Sequence, residues 1–95
     1  MRESSYKIPE GKLVKVKLQV SSGQIENVKI LGDFFLHPEE TIVSIEDSLL
    51  GAPVDKNIIE LRISRTLTET NASLVGATAK DIAKAILMAW NASES

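Results

Sequence analysis

Side chains that commonly carry out chemistry are sparse in this sequence. There is one histidine, His37, and there is no cysteine. A zinc site or a nucleophile–base pair needs several such side chains in one place, so a lone histidine indicates neither. We interpret His37 as a polar residue at the entrance of a helix. The sequence therefore predicts no catalytic residue and no metal site.

Acidic residues cluster in the middle of the chain without indicating acid–base catalysis. Glu39 and Glu40 follow Pro38, a residue favoured at the first position of a helix. Carboxylates at that position face the positive end of the helix dipole. Glu46 and Asp47 lie off the apolar stripe of the same predicted helix. We interpret all four carboxylates as part of a solvated helix face.

Composition limits the class of protein. The 95 residues are 43% hydrophobic and 25% charged, with a formal net charge of −2. These values predict a single small globular domain spanning residues 1–95, and they argue against general nucleic-acid binding. The sequence has neither a signal-peptide core nor an apolar run of membrane length. We expect a cytoplasmic protein, since the lack of cysteine is compatible with a reducing compartment.

Alternating apolar residues in the first third of the chain predict a β-hairpin. Residues 12–20 read as a half-buried strand, residues 21–24 as a turn, and residues 25–35 as the return strand. Tyr6 and Ile8 could add a short edge strand before the hairpin.

Helical patterns dominate the rest of the chain. A first helix is predicted from Pro38 to Leu50, and a last helix begins at the capping box formed by Thr78 and Asp81. Residues 55–67 fit both strand alternation and helical spacing, and the absence of turn residues favours a helix. Residues 68–77 read as a loop. The expected fold is α+β, with a small antiparallel hairpin-based sheet packed on one face by about three α-helices.

Strand phase brings apolar side chains to the open face of this sheet. Gly32 and Phe34 should face the core, whereas Leu31, Asp33 and Phe35 should face outward. Exposed apolar side chains beside a carboxylate fit a docking patch better than a catalytic centre. The alternative is a third layer, in which the N-terminal segment folds over the outer phenylalanine. Both interpretations stay open at this point.

Lysines share the same open face. Strand phase places Lys15, Lys17 and Lys29 there, where a basic patch could meet an acidic partner or a phosphate. The plainer interpretation, which we favour, is that lysines keep the sheet face soluble and block edge pairing.

A longer motif resembles a known family. The run from Val28 to Glu40, Val-Lys-Ile-Leu-Gly-Asp-Phe-Phe-Leu-His-Pro-Glu-Glu, resembles the signature of the C-terminal accessory domain of lipoate–protein ligases. Supporting residues are Gly11-Lys-Leu-Val14, Ile45-Glu46, Leu49-Leu50-Gly51, Gly76, Asp81-Ile82 and Ala85-Ile86. The resemblance extends from about Lys7 to Trp90. In some archaea and bacteria, such a domain is similar to a separate small protein that works beside a large catalytic subunit.

The resemblance implies a function that the residue pattern alone does not indicate. The large subunit of such ligases uses ATP and Mg²⁺ to activate lipoate as lipoyl-adenylate. It then transfers the lipoyl group to a lysine on the carrier domains of 2-oxoacid dehydrogenases or on the glycine cleavage protein. The resemblance implies an accessory subunit that is required for activation and binds no cofactor alone. The fold is also similar to that of iron–sulfur scaffold proteins, whose activity is excluded by the missing cysteines.

We therefore predict that residues 31–39 form the contact surface for a large catalytic subunit, with Asp33 and Phe35 at its centre. The candidate interface residues are Leu31, Gly32, Asp33, Phe34, Phe35, Leu36, His37, Pro38 and Glu39. The three lysines of the open face, Lys15, Lys17 and Lys29, are a second set of candidates for the same interface or for nucleotide phosphates. The alternative function is a free-standing protein-interaction module unrelated to a ligase. A neighbouring reading frame that encodes a large ligase subunit would distinguish the two.

Overall fold

The computed structural model describes residues 2–9 and 12–92. Gly11, one of the residues that carry the resemblance, lies outside the described residues. Eight elements follow one another along the chain, and they form the predicted α+β fold. They are β1 (Arg2–Lys7), β2 (Leu13–Ser21), β3 (Gln24–Gly32), β4 (Phe35–His37), α1 (Thr41–Ser48), α2 (Lys56–Glu69), β5 (Ser73–Val75) and α3 (Ala79–Trp90).

The main sheet is antiparallel and has the strand order β1-β2-β3. The hairpin between β2 and β3 turns at Ser22 and Gly23, whose φ angles are 52° and 76°. Positive φ at both central residues is the type I′ geometry, whose twist matches that of the flanking strands. The predicted hairpin is confirmed. The edge strand is longer than Tyr6 and Ile8 suggested, since it begins at Arg2 and ends before Ile8.

One face of this sheet is buried and the other is exposed. Strand β2 alternates strictly, and a bulge at Gln19 and Val20 shifts the register so that Ile25 of β3 also faces the core. The helices cover the buried face, with α3 against β1 and β2 and with α1 against β3. The buried side chains that the sheet contributes are Val14, Val16, Leu18, Ile25, Val28 and Ile30.

Helix α1 begins three residues later than predicted. The carbonyls of Pro38, Glu39 and Glu40 accept hydrogen bonds from the N–H groups three residues further on, at 3.1 Å each. This tighter i→i+3 bonding makes residues 38–40 a turn that precedes the helix. Glu39 and Glu40 therefore stand before the first helical turn, with Glu40 at the N-cap position.

The ambiguous segment is a helix. Asp55 caps α2, because its carboxylate accepts hydrogen bonds from the N–H groups of Asn57 and Ile58 at 2.9 and 3.2 Å. Ile59 and Ile63, four residues apart, are fully buried, whereas Leu61 between them is exposed. Helical spacing thus decides the burial pattern. Within the described residues, no helix is long and apolar enough to cross a membrane.

A second, two-stranded sheet departs from the prediction. The return strand does not run to residue 35: β3 ends at Gly32, and Phe35 starts β4. The predicted loop over residues 68–77 begins within α2 and contains β5, which pairs antiparallel with β4. This pairing joins segments almost forty residues apart in sequence, so local alternation carries no signal for it.

The capping box of the last helix is confirmed. The Thr78 hydroxyl accepts a hydrogen bond from the Asp81 N–H at 3.1 Å, and the Asp81 carboxylate accepts one from the Thr78 N–H at 3.0 Å. Helix α3 then packs an aliphatic face against the sheet and against α2. Its buried residues are Ile82, Ala83, Ala85, Ile86 and Ala89.

Candidate functional site

An open groove lies where β3, β4 and the start of α1 meet. Its volume is about 250 Å³, and six of the nine candidate interface residues line it. The lining residues are Ile30, Leu31, Gly32, Phe34, Phe35, Leu36, Glu39 and Ile42. The run that carries the family signature therefore surrounds a concave, partly apolar surface.

The two adjacent phenylalanines face in different directions. Phe34 is half-buried and packs against the core, whereas the side chain of Phe35 is 68% exposed. Strand phase predicted this difference for a single strand over residues 25–35, whereas the exposed Phe35 is the first residue of β4. The alternative of a third layer is wrong, because the N-terminal segment pairs with β2 and packs Tyr6 and Ile8 against the core instead. The ammonium group of Lys12 lies 5.8 Å from the centroid of the Phe35 ring, within range of a cation–π contact.

Phe35 belongs to a wider apolar surface. It lies opposite Val75 in the β4–β5 pair, and Val75 is 59% exposed. Leu31, 51% exposed, borders the same groove as Phe35. We call Leu31, Phe35 and Val75 the apolar patch. Exposed apolar side chains grouped in this way mark interaction surfaces more often than isolated ones do.

Val75 was not among the predicted interface residues. Its segment was expected to be a loop, and only the pairing of β5 with β4 brings it beside Phe35. The short apolar pair Leu74-Val75 was the available signal, but two residues are too few to indicate a strand.

Two candidate interface residues have structural roles. Leu36 is largely buried and lies opposite Leu74, so it packs in the core, and it also borders the groove. A Cβ atom on Gly32 would lie 2.3 Å from the carbonyl oxygen of Leu13 and 2.8 Å from the Phe34 ring. Glycine is required there because the backbone of β2 and the Phe34 ring occupy the space of a side chain.

The remaining candidates adjoin the groove-lining residues along the chain. Asp33 is exposed, and its N–H donates a hydrogen bond to the carbonyl of Leu13 at 3.0 Å. His37 is exposed and Pro38 is half-buried at the turn before α1. Glu39 is exposed and borders the groove. Two exposed carboxylates, Asp33 and Glu39, therefore belong to the same run of sequence as Phe35.

Glu46 corrects the interpretation of a solvated helix face. It is half-buried, and its Oε2 atom accepts a hydrogen bond from the backbone N–H of Ile30 at 2.9 Å. At the other end of β3, Ile25 exchanges backbone hydrogen bonds with Gly51 and Ala52 at 2.8 and 3.0 Å. These contacts cover the outer edge of β3, where unpaired N–H and C=O groups would otherwise invite another strand.

The three predicted lysines are brought together on the open face of the main sheet. Lys17 lies directly opposite Lys29, and Lys15 lies opposite Leu31. All three side chains are exposed. Leu31 is therefore a neighbour of both the lysines and the groove.

The arrangement is suited to binding. Among residues 2–9 and 12–92, no three or more side chains of the His, Cys, Asp or Glu types are grouped so that they could hold a metal ion. Every buried side-chain nitrogen or oxygen in that part of the chain has a hydrogen-bond partner. The distinctive surface is the apolar patch, which has Lys15 opposite Leu31 and the Glu39 side chain at the same groove.

Comparison with known proteins identifies the family. The family described as bacterial lipoate protein ligase C-terminus matches residues 3–86. This chain belongs to that family. The resemblance in the signature run is thereby confirmed, and it extends over most of the described residues.

A curated protein and a solved structure, both from Thermoplasma acidophilum, are similar to this family member. Lipoate-protein ligase A subunit 2 of Thermoplasma acidophilum is 36% identical over 56 residues, which are 59% of this chain and 58% of that relative. The match thus spans less than two thirds of the relative's length. A solved structure of an archaeal bi-partite lipoate protein ligase and its E2 lipoyl domain, also from Thermoplasma acidophilum, superposes with a TM-score of 0.75. That match has 27% sequence identity and covers 88% of this chain and 91% of the other.

Proposed function

We propose that this chain is the accessory, non-catalytic subunit of a bipartite lipoate–protein ligase. The observation that carries the proposal is the match of residues 3–86 to the C-terminal family of these ligases. The similar archaeal protein is itself called a second subunit of lipoate-protein ligase A, which supports a separate small partner. The partner of this chain is then a large catalytic subunit.

The proposed division of labour places the chemistry on the large subunit. That subunit binds ATP, Mg²⁺ and lipoate, forms lipoyl-adenylate, and transfers the lipoyl group to a lysine of a carrier domain. The carrier domains are those of 2-oxoacid dehydrogenases or of the glycine cleavage protein. This chain contributes binding: it closes over the large subunit and helps to keep water away from a reactive adenylate.

The apolar patch is the proposed contact surface, with Phe35 as its anchor. An aromatic side chain has few rotatable bonds, so it loses little conformational entropy when a partner covers it. Such anchors contribute about 2 kcal/mol or more to binding, which corresponds to roughly 30-fold in affinity. In this proposal the exposed carboxylates of Asp33 and Glu39 accept hydrogen bonds from donors on the partner.

The test measures lipoyl-adenylate formation by the catalytic subunit with ATP, Mg²⁺ and lipoate, with and without this chain. The wild-type chain should stimulate adenylate formation, and Phe35→Ala should weaken complex formation by about tenfold or more while the domain stays folded. Leu61→Ala is the matched control, because Leu61 is 56% exposed on α2 and does not line the groove. The control should bind the catalytic subunit and stimulate adenylate formation as the wild-type chain does.

The outcomes separate the function from the surface. A catalytic subunit that is equally active without this chain would refute the accessory role and favour a free-standing interaction module. Stimulation that survives Phe35→Ala unchanged would leave the role intact but remove the apolar patch as the contact surface.

A further inference from the structure

The open face of the main sheet carries four exposed lysines. Every second residue of β1 and β2 is exposed on this face. The pairing of β2 with β3 places Lys29 on the same face, opposite Lys17. We call this set the lysine face. It consists of Lys7, Lys15, Lys17 and Lys29.

Positive charge is concentrated on this face although the protein as a whole is acidic. The chain has a formal net charge of −2 and 11 basic residues. Glu3 lies opposite Lys17 and offsets part of its charge. Lys29 borders a second groove together with Glu26, Glu46 and Asp47. Lys15, in contrast, lies between Ser5 and Leu31, and neither neighbour carries charge.

Protection of a sheet edge does not account for the central lysines. Lys15 and Lys17 belong to β2, which is hydrogen-bonded to a strand on each side. A lysine discourages edge-to-edge pairing only where it lies on an edge strand. The outer edge of β3 is already covered by the Glu46 carboxylate and by Gly51 and Ala52. In addition, lysines directly opposite each other, as Lys17 and Lys29 are, destabilise a sheet.

The lysine face is continuous with the apolar patch. Leu31 is the direct neighbour of Lys15 across the β2–β3 pair, and it also borders the groove that holds Phe35. Lys12, the residue before β2, lies over the Phe35 ring. One surface therefore runs from apolar side chains at the β4–β5 end to cationic side chains at the middle of the main sheet.

We infer that the surface of the catalytic subunit that covers Phe35 also carries a cluster of carboxylates, which pair with Lys15 and Lys17. This inference rests on the proposed function, since it assigns the acidic cluster to the ligase partner. Rim charges of this kind speed diffusional encounter and fix the orientation of the partners, and salt screens their effect. The apolar patch supplies affinity, and the lysine face supplies steering.

The experiment compares two double variants of the full chain with the same change in net charge. Lys15→Gln/Lys17→Gln neutralises the central lysines of the face. Lys56→Gln/Lys80→Gln is the control, because both side chains are exposed at the starts of α2 and α3 and neither residue belongs to the sheet. The association rate and Kd for the catalytic subunit are measured between about 50 and 500 mM NaCl. Circular dichroism and melting curves verify that both variants fold.

The expected result is a loss of affinity that appears at low salt. Lys15→Gln/Lys17→Gln should raise Kd roughly 3- to 10-fold, mainly through a slower association rate, and should flatten the dependence of Kd on salt. At the highest salt concentration the Kd values of the variant and the wild type should become equal. The control should stay within about twofold of wild type throughout.

Three results would overturn the inference. The first is a salt dependence in Lys15→Gln/Lys17→Gln that equals that of wild type. The second is unchanged binding to the catalytic subunit with reduced lipoyl transfer to the carrier domain, which would assign the lysine face to the carrier. The third is a wild-type chain that does not bind the catalytic subunit at any salt concentration, which would refute the proposed function as well. The first result, together with normal stimulation of adenylate formation, would refute the inference alone.

Discussion

Replacing Glu46 with alanine should destabilise the domain, although Glu46 lies on a helix that the sequence presents as solvated. The carboxylate accepts the N–H of Ile30 at 2.9 Å, in a part-buried position on the outer edge of β3. Hydrogen bonds to charged groups contribute about 1.5–3 kcal/mol, and a buried N–H left without an acceptor costs about 1–3 kcal/mol. Partial burial lets water replace some of the lost bond, which places the cost towards the lower end of these ranges.

Helix propensity offsets part of that cost. Alanine is a slightly better helix former than glutamate, by a few tenths of a kcal/mol at most. The net loss in the free energy of unfolding should therefore be about 1–2 kcal/mol. For a domain of this size, that loss corresponds to a Tm lower by roughly 4–15 °C. Glu46→Gln keeps an acceptor oxygen and should cost less than Glu46→Ala.

Urea denaturation and thermal melting, both followed by circular dichroism, measure the effect. Asp47→Ala is the matched control, since Asp47 is the exposed neighbour on the same helix, and it should stay within about 0.5 kcal/mol of wild type. If Glu46→Ala and Asp47→Ala unfold at the same urea concentration, then the Glu46–Ile30 hydrogen bond does not contribute to stability and the reasoning is refuted.

Two further predictions concern stability. Gly32→Ala should lower the free energy of unfolding by about 1–3 kcal/mol, because its Cβ would overlap the Leu13 carbonyl; a urea midpoint equal to that of wild type would contradict the close approach. Thr78→Ala should cost about 0.5–2 kcal/mol through loss of the N-cap of α3, and Thr78→Ser, which keeps the hydroxyl, should restore most of the Tm. If the alanine and serine variants had the same Tm, the capping hydrogen bond would not contribute to stability.

The family signature combines residues with different tasks. Gly32 allows β2 to approach closely, and Leu36 packs in the core. Phe34 fills the space between core and groove, while Phe35 projects into solvent. Loss of function on mutating the run would therefore have two distinguishable causes. Gly32 variants should lose stability first, whereas Phe35 variants should lose partner binding with the fold intact.

Local rules determined much of this protein from sequence alone. Period-two alternation placed Val28 and Ile30 inward, and the structure agrees. The hairpin turn, the helical nature of residues 56–69 and the capping box at Thr78 also follow from neighbours within about four positions. Such features depend on backbone geometry and on side-chain spacing within one element, so the amino-acid sequence alone is sufficient to predict them.

Tertiary structure decided the features that depend on distant segments. The division of the return strand into β3 and β4 follows the pairing of Phe35 with Val75, and the role of Glu46 follows a hydrogen bond to a residue 16 positions away. The apolar patch gains Val75 for the same reason, and Leu36 packs in the core opposite Leu74. Hydrophobic periodicity predicts which residues will be buried, but it does not predict which distant segment will pack against them. Packing makes that choice, because only the folded backbone brings β5 beside β4 and α1 beside β3.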